Sequence, residues 1–411
     1  MHIADFTESA QITFYIRFAL KYNPFIQSCH FRKQPQQTST GNSRRIQRMA
    51  HNMKKERNFG IDLLRILSML YIVMLHYSNF GGIPQGDGEN LPLTVFQCAV
   101  QMLTCCCVNC FALISGYVGY TEGTPRLRIH SYLSLWLEVV FYSLLPYAFL
   151  MFLSPGAASW KDLLKAFFPI TTDAYWYFTA YTGLFFLIPL LNAGIRGCSN
   201  GQLMGLCLIL CAVFTVPSMS GDPFRLHNGY TFAWLLTLYL LGAVAKKTGI
   251  CRKISTPAAF SLLLGLWLLR MLWNLYGPAW NIFIFRLHRG NLAFFTDPST
   301  LLLSLLHLAA FSGLEISSPR VRKVIAFAAP GTFAVYLLNT HPVIWQHFVV
   351  ETFTQVAGFG NLVLRFTVYS ILFVAAAIIL DVPRQKLFRH LPIKQLTTLL
   401  LKHCPAFLRD I

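Results

Sequence analysis

The chain has 411 residues, of which 55% are hydrophobic, 15% aromatic and only 12% charged, with a mean hydropathy of +0.50. That much apolar surface exceeds what a water-soluble core can hide, which excludes a soluble globular protein and leaves a multi-spanning membrane protein. The net charge of +18 does not indicate a nucleic-acid partner, because the basic residues sit in short clusters between apolar segments, where membrane topology accounts for them.

In chain order, residues 1 to about 52 form a polar arm with little pattern, typified by the Gln-, Ser- and Thr-rich stretch 34–43. The apolar run 14–20 contains Arg17, is too short to span, and has no cleavage signature after it. Met49 and Met53 stand before Lys54-Lys55-Glu56-Arg57, a compact basic start for the first span. Residues 1–55 are therefore expected to be a disordered arm arising from an overextended start site.

Ten apolar segments of helical length follow, near 61–80, 93–118, 131–153, 174–195, 201–218, 230–246, 256–276, 298–314, 329–350 and 361–381. The expected fold is all-α, a polytopic membrane protein with about ten transmembrane helices occupying residues 56–395. With the amino end cytoplasmic, sixteen basic residues fall in inside loops and the tail, against five outside. That asymmetry predicts cytoplasmic termini and a cytoplasmic tail over 396–411. There is no clear internal repeat, no P-loop and no appended soluble domain.

The eleven cysteines include Cys105, Cys106, Cys107 and Cys110 in one apolar run and Cys207 and Cys211 in another. They read as small residues at helix packing positions. Their spacing matches no paired CxxC site with histidine partners, so no metal is implied.

The first span carries the most informative polar residues, Arg65 and His76, eleven positions apart. At about 100° per residue they share one helix face, roughly 16 Å apart along the axis. Polar groups in lipid are costly and need a reason. Ile72 leaves the stripe between them apolar, which suits two separate tasks better than a continuous polar path. Arg65 would hold an anionic group near one membrane face, and His76 would move a proton deeper in. The bland alternatives are snorkelling of Arg65, with Asp62 as partner, and a histidine in interfacial water.

Gly60-Ile61-Asp62-Leu63-Leu64-Arg65 with His76, the segment Asn109-Cys110-Phe111-Ala112-Leu113-Ile114-Ser115-Gly116-Tyr117, the pair Tyr175-Trp176-Tyr177-Phe178 and Leu190-Leu191-Asn192, and Val335-Tyr336-Leu337-Leu338-Asn339-Thr340-His341-Pro342 follow one another in this order. The sequence thereby resembles the acyltransferase-3 family of integral-membrane acyltransferases, which includes bacterial O-acetyltransferases of surface polysaccharides. The resemblance covers roughly residues 56–395. It implies transfer of an acyl group, usually acetyl from acetyl-CoA, to a hydroxyl of a carbohydrate acceptor at the outer face of the plasma membrane. His76 would be the general base for a poorly nucleophilic sugar hydroxyl. Arg65, Arg126 and Arg128 would bind the phosphates of coenzyme A, although inside loops are basic for topology alone. Asn339 stands where relatives often carry histidine.

Other polar residues divide between packing and substrate. Ser115-Gly116 lacks a nucleophile elbow and reads as helix packing. Glu138, inside the third span, is expected in a structural ion pair with Arg270 or Arg365. Asp173 and Trp176 open the fourth span, where an aromatic belt is expected and sugar stacking is the functional alternative. His341, beside the helix-breaking Pro342, is a candidate donor of a hydrogen bond or proton to substrate. His307 reads as a satisfied packing histidine. The rival function is a transporter or flippase for a polar or lipid-linked solute, for which paired repeats with broken helices would be expected. Neither the acceptor, the acyl length nor the oligomeric state is encoded legibly.

Overall fold

The computed structural model describes residues 57–84, 90–123, 127–154, 159–277, 280–282, 285–287, 293–393, 395 and 398–399. The expected disordered arm, Arg126 and most of the expected tail lie outside these residues.

Helix α1 (Phe59–Phe80) begins where the Asn58 side chain accepts from the Ile61 amide at 3.0 Å, and α2 (Leu91–Thr104) begins on Asn90 in the same way. After a turn at Cys105 and Cys106, α3 (Cys107–Gly119) carries the segment onward. There follow α4 (Ile129–Leu153), the short α5 (Trp160–Ala166), α6 (Trp176–Gly197), α7 (Asn200–Thr215), α8 (Phe232–Thr248) and α9 (Thr256–Tyr276). A small antiparallel hairpin pairs β1 (Trp280–Ile282) with β2 (Phe285–Leu287). The chain then forms α10 (Pro298–Ser312), α11 (Pro319–Ala328), a 3-10 turn, α12 (Thr332–Asn339), α13 (Pro342–Phe348) and the long α14 (Phe359–His390).

Eight segments among the described residues are long and apolar enough to cross a membrane: α1, α2 with α3, α4, α6, α7 with the 3-10 turn that follows it, α9, α11 with α12, and α14. The 17-residue α8 and 15-residue α10 bring the number of alternating segments to ten. Contacts between helix ends fix that alternation. Where α1 begins, Asn58 donates to the Ser312 carbonyl at the end of α10 at 2.8 Å, and Arg322 of α11 lies over the Phe59 ring. Lys247 at the end of α8 donates to the Ile195 and Cys198 carbonyls closing α6, at 2.6 and 2.8 Å. Lys246 beside it covers Tyr117 of α3, whose hydroxyl neighbours Ser312. Arg196, Lys246, Lys247 and Arg322 thus gather at one end of the bundle. At the other end the Glu351 amide donates to the Phe80 carbonyl at 3.0 Å, and Cys98 meets Asn274.

The burial pattern suits lipid rather than water. Leu262, Leu264, Leu269 and Leu272 of α9 and Leu364, Leu372, Ile379 and Leu380 of α14 are exposed, whereas Trp234, Tyr142, Tyr239 and Phe178 are fully buried. Between α3 and α8 the approach is backbone to backbone. A methyl group on Gly116 would stand 2.0 Å from the Tyr239 carbonyl, and one on Gly242 would stand 2.1 Å from the Leu113 carbonyl. The Ser115-Gly116 element is therefore a packing contact, with the Ser115 hydroxyl turned back onto the Phe111 carbonyl at 3.1 Å.

Two segments depart from expectation for identifiable reasons. The span expected at 93–118 is broken between α2 and α3. Thr104 bonds back to the Val100 carbonyl at 2.8 Å, and Arg270 takes the Met102 carbonyl at 3.1 Å, so the ladder opens there. The span expected at 329–350 instead runs over 319–339. Pro342 lacks an amide proton, and His341 takes an extended conformation that starts α13.

Glu138 pairs with neither Arg270 nor Arg365, in contrast to the sequence expectation. Its partner is Arg384 of α14 at 3.1 Å, which also holds Asp381 through two bonds of 2.6 and 2.8 Å. The reason is depth. Arg384 lies near the same end of the bundle as Glu138, whereas Arg365 is exposed near the opposite end of α14 and Arg270 is bonded to Cys105, Met102 and Thr300.

Candidate active site

His76 and Asn339 are brought together from positions 263 residues apart. The His76 Nδ1–H donates to the Asn339 side-chain oxygen in a short hydrogen bond. With that proton committed, Nε2 keeps its lone pair, and His76 lines a cavity of about 150 Å³. Asn339 is fully buried as the last residue of α12, so the ring is held by a partner that cannot swing away. The residue that stands where relatives often carry histidine is thus the hydrogen-bond partner of one.

Aliphatic residues of α1 such as Met69, Ile72 and Leu75 form part of the cavity wall, and much of the remainder is aromatic. Trp176, Tyr177, Tyr230 and Tyr336 line it, with Thr340 as a further polar group. The Tyr177 amide donates to the Tyr336 hydroxyl at 3.3 Å, which joins the span-4 segment to the late segment. Trp176 packs on Tyr230, with ring centroids 4.7 Å apart. On its other side His76 meets Trp345 of α13 edge-on at 5.0 Å. Sequence reasoning found Trp176 but missed Tyr177, Tyr336 and Trp345 as neighbours of the base. Tyr177 and Tyr336 stand in the family-like segments, but nothing in those segments distinguishes a cavity-facing aromatic from one that a membrane interface explains.

A second cavity, of about 430 Å³, opens at the end of the bundle where α1 begins. Arg128, His130, Ser131, Tyr181 and Asn192 line it. Asn192 donates to the Gly119 carbonyl at 3.2 Å and accepts from the Tyr239 hydroxyl at 3.1 Å, so this residue of the Leu-Leu-Asn element clamps three helices around the mouth. The two cavities are separated by one turn of α6. Tyr177 borders the first and Tyr181 the second, their rings stacked with centroids 6.5 Å apart.

Arg65 is held by Asp62 at 3.1 Å with a quarter of its side chain exposed. It lies near enough to Tyr181 to interact with it electrostatically. Arg65 thus neighbours the α6 residue that borders the second cavity, and His76 lines the first cavity together with Trp176 and Tyr177 of α6. Not every candidate joins them. Asp173 is exposed, in a left-handed conformation with φ 47°, and borders neither cavity. His341 is buried and uses both nitrogens on backbone: Nε2–H donates to the Ser143 carbonyl at 3.1 Å, and Nδ1 accepts from Val343 at 3.2 Å. It caps α13 rather than facing the cavity. His307 is likewise a packed histidine, with Nδ1 donating to the Leu303 carbonyl at 2.9 Å.

No curated protein and no solved structure matches the chain. The acyltransferase-3 family, described as an acyltransferase domain, matches over residues 58–382. That stretch contains His76, Asn339, both cavity walls and the basic mouth, and the chain belongs to the acyltransferase-3 family of membrane acyltransferases.

Proposed function

We propose that the protein moves a short acyl group, acetyl above all, from acyl-CoA to a hydroxyl of a carbohydrate at the outer face of the plasma membrane. The observation that carries this reading is the His76–Asn339 pair at the wall of a small aromatic cavity. A neutral imidazole with a fixed tautomer and a free Nε2 is the group an alcohol nucleophile needs. The basic end of the bundle is taken as cytoplasmic, with both termini there.

In this scheme the donor enters from the cytoplasm. Arg65, Arg126 and Arg128 offset the phosphate charge of coenzyme A. The thioester arm passes the Tyr181–Tyr177 turn of α6 and presents its carbonyl beside His76. Nε2 takes the proton of the acceptor hydroxyl as its oxygen attacks that carbonyl. The carbon–sulfur bond breaks, and the imidazolium returns the proton to the departing thiolate, leaving an ester and free coenzyme A. Trp176 and Tyr230 offer flat faces to a sugar ring. The small cavity volume favours acetyl over a long acyl chain.

The test is purified protein in liposomes with labelled acetyl-CoA and a polysaccharide acceptor. Ester-linked label in glycan from wild type and none from His76→Ala, at equal folded abundance, supports the proposal. Label incorporated equally by both removes His76 as base. Solute movement across the bilayer without acyl transfer supports the transporter instead.

A further inference from the structure

We propose that Cys106, Cys110 and His307 form a binding site for a thiophilic divalent cation, zinc above all, that ties the α2–α3 break to α10. This site is separate from the transfer chemistry and does not depend on it. The cysteine spacing alone implied no metal, because the third ligand lies 201 residues beyond Cys106. The fold removes that separation. One ligand atom from each of the three side chains falls within 4.8 Å of the others, and the Cys106 sulfur stands 3.8 Å from His307 Nδ1. In a tetrahedral zinc site with bonds of about 2.0–2.3 Å, ligand atoms lie roughly 3.5–3.8 Å apart. Closure therefore needs side-chain adjustments on the order of 1 Å or less.

Three features favour a cation over thiols acting as plain packing. Two thiolates and a neutral imidazole around a divalent ion sum to no net charge, so a bound ion leaves no uncompensated charge in a fully buried intramembrane position. Cys106, Cys110 and His307 are each no more than 1% exposed, so water does not compete for the ion. The second shell is already in place. If Nδ1 turns from the Leu303 carbonyl to the metal, that carbonyl still has its helical partner, and Nε2–H faces the Tyr71 hydroxyl at 3.5 Å. Tyr71 stands on α1, five residues before His76, so the ion would brace the helix that bears the base. None of the three ligands borders the His76 cavity, and the fourth position of a tetrahedral ion is left to a water or a further side chain.

The experiment is metal analysis of the full-length protein, purified with any affinity tag removed, followed by cobalt substitution. About one zinc per chain and a thiolate-to-cobalt charge-transfer band are expected. Cys110→Ser and His307→Ala should lose both, while Cys207→Ser retains them. Wild type lacking tightly bound zinc overturns the proposal, as does zinc retained in both variants. Where a variant fails to fold, X-ray absorption on zinc-loaded wild type decides. Two sulfur scatterers support the site, and an all-nitrogen and oxygen shell refutes it.

Discussion

Two of the polar clusters within the membrane-spanning bundle use their polarity in opposite ways. In the Glu138–Arg384–Asp381 cluster every charge is answered: Arg384 spans both carboxylates, Tyr142 donates to Asp381 at 2.7 Å and Gln385 at 2.8 Å, and no described cavity borders it. In the His76–Asn339 pair one ring nitrogen is answered by the Asn339 oxygen, and the residue borders a cavity. An ionisable group in lipid is thus not a functional site by its presence. The distinguishing mark is a valence left unspent beside a cavity.

The sharpest way to break this comparison is to disturb the first cluster. Arg384→Ala leaves two buried carboxylates unanswered and should cost about 3–5 kcal/mol, seen as loss of monodisperse protein after detergent extraction. Adding Glu138→Gln and Asp381→Asn should recover much of it. His76→Ala should do the reverse, extracting like wild type while transfer falls by roughly 10²–10⁴-fold. The same contrast extends to pH. A base must be unprotonated, so the wild-type rate should rise as pH climbs through the imidazole titration and then level. The residual rate of His76→Ala should lack that acid limb, and a shared limb would assign it to another group.

Smaller effects sharpen the picture. Asn339→Ala removes one buried hydrogen bond, worth about 1–3 kcal/mol or roughly 5–150-fold, and should lower kcat more than it raises KM for the donor. Asn339→His should retain more activity than Asn339→Ala. Arg128→Gln should raise the donor KM by only a few-fold, on the order expected of an exposed charge, and the difference should shrink as salt is added.

Much of the scaffold was legible because spans announce themselves locally. The segment 256–276 matches α9 residue for residue, since Ser255 caps its start and Gly277 follows its end. The break at Cys105 was not legible, because it depends on Arg270 reaching across from another helix to the Met102 carbonyl. The same holds for the site. Arg65 and His76 share a helix, so periodicity alone put them on one face. Asn339 is joined to His76 only by the fold, and the partner of Glu138 only by its depth in the bundle. Asp173 and His341 misled because a polar residue beside an aromatic cluster looks the same in sequence whether it faces substrate, solvent or a helix cap.

The chain stops being helical immediately after Asn339 and restarts at Pro342. The groove for the base is therefore built on a rigid rod, while Trp345, which leans on the imidazole from the far side, belongs to a separate short piece. Sequence drift in that piece would change what backs the imidazole without moving the rod that carries its hydrogen-bond partner.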